Sequence, residues 1–419
     1  MPVTRATKNR PLVIHEPVSS RRTTKKSGID SQAEVWVAKK LQGKYPPLTS
    51  HSKSAIDLLR GNLYFYGGYR PEDKREVPTA DFRVFNIKTK KFVNLTNSLT
   101  HIMPADPDSD VKPEPHAKRL PRLSQPGMAL LEVKGNPIIF LFGGYDFDAS
   151  SGADGTSSAL VAIDITRKQW YYVQFEDSDF SPPTPRIDPI VVGINEKLYI
   201  FSGLTGFGNN WVYHRSFSIV YFQLGRCSKW VAVDSPYPSN VPAGHVFGKG
   251  LSVYDGKMIL LLPGRKQETE RIHFEKDNIF HFAPMHNNFI QANVKGSLPK
   301  DVVWFYVSPL DRSFNSPQGA PPYGTPGAVP SVIICTWLPH KNGDLSPELW
   351  KFVTFPTNTF FPLGVIDRVY DLEVDFQRFA LIGNRAFLLG QGDYPEKAAM
   401  CNTYVEIPME ELLIKHEPD

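Results

Sequence analysis

Residues 138–145 read IIFLFGGY, a short apolar run that ends at the glycine pair Gly143-Gly144. Its β-branched and aromatic side chains favour a buried β-strand. A glycine at the end of such a run is typical of a backbone position that needs a positive φ or a close approach to a neighbouring chain. The pattern recurs at LYFYGGY (63–69), LYIFSGL (198–204), MILLLPGR (258–265) and AFLLGQGDY (386–394), and without the glycine at SVIICTWLP (331–339). This recurrence predicts six repeated units.

A second feature repeats in the same order. After each glycine-marked run and a variable loop comes another apolar run, and an aromatic residue stands about six positions beyond its end. The predicted aromatic positions are Phe92, Trp170, Trp230, Phe289 and Phe361. Aromatic side chains carry a large apolar area, so these residues are predicted to pack one sheet against the next.

Each unit is predicted to form a sheet of four antiparallel strands. In the second unit the strands are placed at 127–133, 137–142, 159–164 and 169–175, with a turn at Lys134-Gly135-Asn136. A small sheet cannot bury both of its faces alone, so the sheets must stack around an axis. The predicted fold class is therefore all-β, a six-bladed β-propeller of four-stranded blades.

The last unit offers strands near 377–382, 385–389 and 401–407, but no fourth strand follows before the chain ends. Residues 34–38, Glu-Val-Trp-Val-Ala, are predicted to complete this blade, with Trp36 in the repeated aromatic position. Pairing the two ends of the chain in one sheet would remove exposed strand edges. The predicted organisation is a disordered basic tail (1–30), a propeller (31–407) and an acidic C-terminal tail (408–419).

The pattern resembles the kelch-repeat β-propellers of the galactose-oxidase and kelch-like superfamily. The resemblance rests on Gly67-Gly68 and Gly143-Gly144, on Trp170 and Trp230, and on the pairs Pro121-Arg122 and Pro185-Arg186 before the first strand of a unit. It covers roughly residues 34–407. The resemblance implies the fold, but it leaves the function open, because kelch propellers include both adaptors and enzymes.

Composition and charge narrow the function classes. Among 419 residues, 12% are aromatic, and 37 Pro and 30 Gly favour short strands joined by turns. Residues 1–30 hold seven Lys or Arg against Glu16 and Asp30, a net charge of +5, which leaves 40 basic and 41 acidic residues for the rest. A nucleic-acid-binding body would carry its own basic face, so nucleic-acid binding is not expected except through the tail.

The cysteines and the apolar runs predict an intracellular protein. The chain has three cysteines without a CxxC spacing, so no disulfide framework or zinc ribbon is indicated. No run has the length of a signal peptide or a membrane span. The predicted location is cytoplasmic, or nuclear if the basic stretch Arg21–Lys26 is a targeting signal rather than part of a solvated tail.

Two Pro-rich insertions, 97–120 and 308–330, are either tolerated spacers or binding elements. Strand two–three loops and the connections between units share one face of the ring. The loop from Phe207 to Arg215 is the strongest candidate on that face, because aromatic residues and arginine are typical of protein-binding surfaces; packing over the channel mouth is the alternative. The predicted partner-binding residues are Arg122, Arg186, Phe207, Asn209, Trp211, Tyr213, His214, Arg215, His245 and Arg265. For Arg122 and Arg186, a structural role within the blades stays open.

No local catalytic, cofactor or metal motif is found: the clustered histidines His273, His281 and His286 do not converge on a strand, and Asp146, Asp148 and Asp154 lack the spacing of a calcium loop. No cofactor is therefore predicted. The leading hypothesis is an intracellular module that binds a partner protein or peptide through its loop face. The alternative is an enzyme with a site in the central channel, whose metal-dependent form would show stoichiometric iron or copper.

Overall fold

The structure is a computed structural model. It describes residues 39–40, 52–57, 59–72, 75–102, 119–133, 135–148, 155–175, 182–206, 211–223, 229–243, 245–254, 256–265, 271–310, 331–339, 345–354, 357–365, 374–382, 385–392 and 401–408. Within these ranges the regular structure is β, apart from one turn of 3-10 helix at Thr96–Ser98. Six sheets of four or five strands form a six-bladed β-propeller, which confirms the predicted fold class.

The first strand of the described residues, β1 (Lys39–Lys40), belongs to the last blade. Strands are named in chain order, and those of each blade are given from the innermost outward. Blade one contains β2 (Lys53–Asp57), β3 (Asn62–Tyr66), β6 (Phe82–Asn86) and β7 (Lys91–Asn94), and its strand two–three loop carries the hairpin β4 (Tyr69–Glu72) and β5 (Arg75–Pro78). Blade two contains β10 (Gly127–Val133), β11 (Asn136–Phe142), β13 (Leu160–Asp164), β14 (Gln169–Tyr172) and the added β8 (Thr100–His101), with β12 (Tyr145–Asp146) pairing β9 (Leu123–Ser124) at its loop end.

Blades three and four follow the same order. Blade three contains β15 (Ile190–Ile194), β16 (Lys197–Phe201), β19 (Ser216–Gln223) and β20 (Lys229–Pro236), with the loop hairpin β17 (Leu204–Thr205) and β18 (Val212–Tyr213). Blade four contains β21 (Phe247–Val253), β22 (Met258–Pro263), β23 (Phe280–Ala283) and β24 (Asn288–Gln291).

Blade five contains β26 (Trp304–Leu310), β27 (Ser331–Pro339), β28 (Leu345–Val353), β29 (Thr359–Val365) and the added β25 (Lys295–Gly296). Blade six contains β30 (Val374–Ile382), β31 (Arg385–Gly392), β32 (Cys401–Pro408) and β1. Lys39 pairs with Tyr404 and Lys40 with Thr403, so the N-terminal part of the chain supplies the outermost strand of the last blade, as predicted. The predicted closing residues 34–38, including Trp36, lie outside the described residues.

The side chains of each sheet pack alternately into two different hydrophobic cores, because successive residues of a strand point to opposite faces. On β11, Ile139 and Leu141 pack toward blade one, whereas Phe140 and Phe142 pack toward blade three. Five such cores join successive blades. A sixth joins Phe387 and its neighbours of blade six to Phe65 and its neighbours of blade one. The ring is therefore closed by apolar packing as well as by the pairing of β1.

The two glycine doublets bring blade one close to blade two, and blade two close to blade three. Gly143 and Gly144 have φ of +68° and +90°, and a Cβ at Gly143 would stand 2.2 Å from the carbonyl oxygen of Arg186. That same carbonyl accepts a hydrogen bond from the Gly144 N–H at 2.9 Å. In blade one, a Cβ at Gly67 would likewise stand 2.2 Å from the Leu123 carbonyl oxygen, which the Gly68 N–H contacts at 3.1 Å. The doublet is thus a close backbone contact between blades.

The repeated aromatic is the second residue of the fourth strand. Phe92, Trp170, Trp230 and Phe289 are buried there, as predicted. In blade five the prediction of Phe361 is wrong, because the buried residue is Phe360, whose ring lies 4.5 Å from that of Phe352. The prediction took the apolar run to end at Phe355, whereas β28 ends two residues earlier at Val353 and the turn before β29 is one residue longer than the turn before β14 or β24. A one-residue slip places the side chain on the opposite face of a strand.

Connections between blades also pass along the outer edge of the next blade. Thr100–His101 pairs parallel to β14, and Lys295–Gly296 pairs parallel to β29. The side-chain amide of Asn240 donates to the Phe289 carbonyl of blade four at 2.8 Å. Covering an edge in this way satisfies strand groups that would otherwise face solvent. Most of the predicted insertions, at 103–118 and 311–330, and the tail segments 1–30 and 409–419 lie outside the described residues.

Candidate partner-binding site

The strongest sequence candidate, the loop from Phe207 to Arg215, is described from Trp211 onward and contains β18, which pairs with β17 in a hairpin. Leu204 pairs with Tyr213 in this hairpin, and Thr205 pairs with Val212. Backbone hydrogen bonds in both directions, of 2.8 and 2.9 Å, tie Leu204 to Ile187 at the entry of blade three. The predicted residues Phe207 and Asn209 lie outside the described residues. The strands that carry the loop are therefore fixed to the blade by paired backbone groups.

Two large apolar side chains are exposed on this hairpin. Trp211 is 37% exposed and Val212 is 63% exposed, and they are neighbours in the chain. The other exposed large apolar residues of the described chain lie elsewhere: on the outer strands at Val93, Val233 and Ile290, and in the opposite-end turns at Leu59 and Met285. Exposed apolar side chains held on a fixed backbone are typical of interaction sites.

Arg215 ends the hairpin with a guanidinium that is partly fixed. Its Nη2 donates to the carbonyl oxygens of Val241 at 3.1 Å and Pro242 at 3.2 Å, in the connection from blade three to blade four. The side chain is nevertheless exposed. Within the described chain, its Nε and Nη1 make no hydrogen bond and no carboxylate pairs with it. Because both bidentate edges of a guanidinium include Nη2, Arg215 could offer a further acceptor only single hydrogen bonds from Nε or Nη1.

Arg186 does not lie on this surface, which corrects its predicted place among the partner contacts. Its side chain is 0% exposed, and it lies beneath the hairpin. Its Nε donates to the Thr184 carbonyl at 3.1 Å and its Nη1 to the Ser202 carbonyl at 3.0 Å, with a weaker contact to Ser216. Burial lowers the pKa of its guanidinium, while the charge of Asp234 opposes the shift. Arg186 therefore joins the strands of blade three from within.

Arg122 is exposed but paired. Its Nε donates to Asp148 Oδ1 at 2.7 Å, and its backbone N–H donates to Asp148 Oδ2 at 2.8 Å. The hydrogen bonds from Arg122 hold the pKa of Asp148 below its usual range, although burial acts in the opposite direction. A carboxylate from the same molecule therefore already occupies the guanidinium of Arg122.

The two predicted histidines are packed rather than free. His214 is half-buried, and its backbone N–H donates to the Gly203 carbonyl at 2.9 Å. Burial together with the charge of Arg186 lowers the pKa of its imidazole to about 4. The ring of His245 lies 4.5 Å from that of Phe247 and 5.4 Å from that of Phe280. Tyr213 is half-buried in the hairpin, and Arg265 is exposed directly after β22. The structure thus brings Trp211, Tyr213, His214 and Arg215 together on blade three and leaves Arg122 on blade two.

Sequence reasoning missed Val212 and the carbonyls that fix Arg215. Val212 stands between two aromatic residues, and only its exposed fraction of 63% in the structure shows that its side chain faces solvent. Nothing in the sequence links Arg215 to Val241 and Pro242, since the contact joins two separate connections of the ring. No local signal could have identified these residues.

No group of three His, Cys, Asp or Glu side chains that could hold a metal ion occurs in the described ranges. His281 is buried with its Nε2 3.0 Å from Asn358 Oδ1. Cys335 is buried, and burial raises the pKa of its thiol well above the usual value. His281 contacts Asn358 of blade five, and Cys335 lies in the core between blades five and six, so both residues belong to the packing between blades. The part of the chain that the structure describes also contains no helix long and apolar enough to span a membrane.

The fold and the exposed hairpin define the class: a closed six-bladed β-propeller with a partly apolar loop surface on blade three. No protein-family model matches the chain, and no curated protein matches it. A solved structure that is similar is that of a novel fungal alcohol oxidase with catalytic diversity among the AA5 family, in complex with copper. It is 12% identical, the alignment covers 90% of this chain and 76% of that chain, and the TM-score is 0.44. No residue role is carried over from that enzyme.

Proposed function

We propose that this protein is an interaction module that binds a partner protein or peptide through the loop surface of blade three. The observation that carries the proposal is the pair Trp211 and Val212, 37% and 63% exposed on a hairpin whose backbone is tied to the blade. Burying both side chains against a partner would remove apolar area from water without first ordering a mobile segment. A rigid ring with a localised apolar hairpin suits binding.

The resemblance to kelch propellers is consistent with this proposal, and so is the predicted intracellular location, which remains a prediction. Arg215 and Tyr213 flank the apolar pair, and tryptophan, tyrosine and arginine are the residue types that contribute most to protein interfaces. Arg186 and Arg122 are left out of the surface, because the first is buried and the second is paired with Asp148.

The test compares two exposed apolar positions of the same blade. Tagged full-length protein, Trp211→Ser and Val233→Ser are used for pull-down from the native cytosol; Val233 is also 37% exposed, but it lies on the outer strand β20. We expect a set of captured proteins that Trp211→Ser loses and Val233→Ser keeps. Capture that is equal in all three samples would count against this surface.

The same preparation tests the enzyme alternative. Metal analysis of the purified protein that finds stoichiometric copper or iron would favour a metal-dependent enzyme over an interaction module. A protein without such a metal that loses partners on Trp211→Ser supports the proposal.

A further inference from the structure

The two ends of the propeller differ in charge. In a four-stranded antiparallel blade, the turns between strands one and two and between strands three and four lie at one end of the sheet, which we call the turn end. The strand two–three loops lie at the other end, the loop end. The turns of the turn end contain nine Lys or Arg and three Asp or Glu, a net charge of +6. These turns are residues 58–61, 87–90, 134–135, 165–168, 195–196, 224–228, 254–257, 284–287, 311–330, 354–358 and 383–384.

The loop end has a net charge of the opposite sign. Its strand two–three loops contain ten Lys or Arg and fourteen Asp or Glu, a net charge of −4. These loops are residues 67–81, 143–159, 202–215, 264–279, 340–344 and 393–400. A charge separation of this kind directs an anionic partner to the turn end, although the propeller as a whole is almost neutral.

Contacts between neighbouring blades place the turns on one face of the ring. Four such contacts lie at the turn end: Lys90 with Glu406, Arg60 with Glu132, Ile194 with the Cβ position of Gly256, and Thr354 with Tyr254. They connect blades six and one, one and two, three and four, and four and five, respectively. Gly143 and Arg186 join blades two and three at the loop end. All six blades therefore have the same orientation, and the turn end is one continuous face.

Several lysines of this face have no carboxylate partner. Two of its arginines are paired with buried aspartates: Arg60 with Asp57 at 3.1 Å, and Arg167 with Asp164 at 2.9 Å. By contrast, four exposed lysines form no ion pair within the described residues. They are Lys88, Lys91, Lys168 and Lys257. Their ammonium groups can therefore contact an anionic partner without first breaking an internal ion pair.

The same face carries the two most exposed large apolar side chains of the described residues. Met285 is 86% exposed in a turn of blade four, and Leu59 is 73% exposed in a turn of blade one. The Leu59 turn is tied to the neighbouring turn by a hydrogen bond from the Ile87 N–H to the Gly61 carbonyl at 3.0 Å. A Cβ at Gly61 would stand 3.8 Å from Lys88 Cε. An exposed apolar side chain and an unpaired lysine are thus neighbours on this face.

This combination of residues distinguishes among anionic partners. Nucleic acid would pair with the lysines through its phosphates but would leave Leu59 and Met285 in water. An anionic bilayer offers both contacts, because lysines interact with its headgroups while apolar side chains enter the boundary between headgroups and acyl chains. Blades one and four are opposite each other in a ring of six, so a flat, extended surface is needed to contact both apolar side chains at once.

We propose that the turn end is a docking face for an anionic membrane surface, with Leu59 and Met285 inserted at the interface and the unpaired lysines beside acidic headgroups. The contact is peripheral and requires no membrane-spanning segment. This inference does not rest on the proposed function. The partner-binding hairpin of blade three lies at the loop end, so it would face away from the membrane.

Cosedimentation of the full-length protein with vesicles tests the proposal. The vesicles contain phosphatidylcholine alone or phosphatidylcholine mixed with phosphatidylserine. The double variant Lys88→Glu/Lys168→Glu reverses two charges at the turn end. Its matched control is Lys276→Glu/Lys300→Glu, which changes the net charge equally through two exposed lysines, one before β23 at the loop end and one in the connection that enters blade five.

A second pair of variants tests the apolar contacts. Leu59→Ser/Met285→Ser removes both protruding side chains. Its matched control is Val93→Ser/Ile290→Ser, which changes exposed apolar residues of the outer strands in the same two blades. Thermal unfolding of every variant establishes that it is folded.

We expect wild type to bind the vesicles that contain phosphatidylserine and not those of phosphatidylcholine alone, and added salt should weaken the binding. Lys88→Glu/Lys168→Glu should bind at least about tenfold more weakly, because each lysine near an anionic surface contributes about fivefold in affinity. Leu59→Ser/Met285→Ser should bind about tenfold more weakly, because the apolar area buried at the interface is lost. Both control variants should bind like wild type.

Three results would overturn the inference. The first is no binding to phosphatidylserine vesicles, or an equal loss in Lys276→Glu/Lys300→Glu. The second is binding that depends on the lysines but not on Leu59 and Met285; competition by soluble RNA would then identify a nucleic-acid face. The third is binding that persists in Lys88→Glu/Lys168→Glu and disappears when residues 1–30 are deleted, which would assign it to the basic tail. None of these results changes the pull-down test of Trp211, so the two proposals fail separately.

Discussion

Gly143→Ala tests whether the glycine doublet holds neighbouring blades together. The new Cβ would stand 2.2 Å from the Arg186 carbonyl oxygen, a separation at which backbone must move. That carbonyl is the acceptor for the Gly144 N–H at 2.9 Å, so moving it weakens a contact between blades two and three. The substitution therefore changes both the conformation of one residue and the packing of two sheets.

Gly135→Ala is the matched control. Gly135 has a φ of +77°, close to the +68° of Gly143, but its added Cβ meets nothing within 4 Å. A non-glycine residue at positive φ costs about 1–2 kcal/mol, and this cost applies to both variants. For Gly143→Ala, overpacking adds about 1–3 kcal/mol and the weakened hydrogen bond about 1 kcal/mol. The two variants should therefore differ by about 2–4 kcal/mol in free energy of unfolding.

Urea unfolding of the full chain, followed by tryptophan fluorescence, measures this difference, because Trp170 and Trp230 are buried in the blades that meet at the contact. We expect Gly143→Ala to unfold at a clearly lower urea concentration than Gly135→Ala, and Gly135→Ala to lie slightly below wild type. Equal midpoints for the two variants would refute the reasoning, since they would show that the positive φ alone accounts for the glycine.

Two further stability predictions follow from individual residues. Phe360→Ala should lower the free energy of unfolding by about 3–5 kcal/mol, because its ring is buried between blades four and five. Phe361→Ala should lower it by less than half of that amount. Urea midpoints measure both effects, and a larger loss for Phe361→Ala would contradict the assigned register of β29. Burial lowers the pKa of the His281 imidazole, and it lowers the pKa of the His214 imidazole to about 4. The unfolded chain therefore binds more protons than the folded chain, and the free energy of unfolding should fall as the pH drops below 6.5. Urea midpoints at about pH 7 and about pH 5 should therefore differ more in wild type than in His281→Gln, and parallel losses in the two proteins would exclude His281 as a source of this dependence.

Most of the architecture could be predicted from local patterns. The six units, the strands of blade two and the three C-terminal strands of blade six follow from apolar runs and glycines, because backbone conformation and burial impose the same residue types in every blade. The error at Phe361 shows where this reasoning ends. On the sequence the apolar run is taken to end at Phe355, and six positions beyond it lies Phe361, but β28 already ends at Val353. The turn that leads to Asn358, with a φ of +44°, is one residue longer than in blades two and four, so the buried aromatic is Phe360, one residue before the predicted position.

The candidate site was less accessible to sequence reasoning. The loop from Phe207 to Arg215 was identified by its aromatic residues, whereas the sequence left a structural role open for Arg122 and Arg186. The structure separates the three arginines: Arg186 is buried and donates to carbonyls, Arg122 is paired with Asp148, and Arg215 is exposed with its Nη2 donating to two carbonyls.

By itself, the sequence determined the all-β class, the number of blades and the closure of the last blade by the N-terminal part of the chain. These properties depend on periodic burial and on turn residues, and both are encoded over a few neighbouring positions. The tertiary structure alone decided which arginine is buried, which is neutralised and which is available. Those states depend on groups far apart in the chain, such as Arg215 and the Val241 carbonyl, and only the closed ring brings them within hydrogen-bond distance.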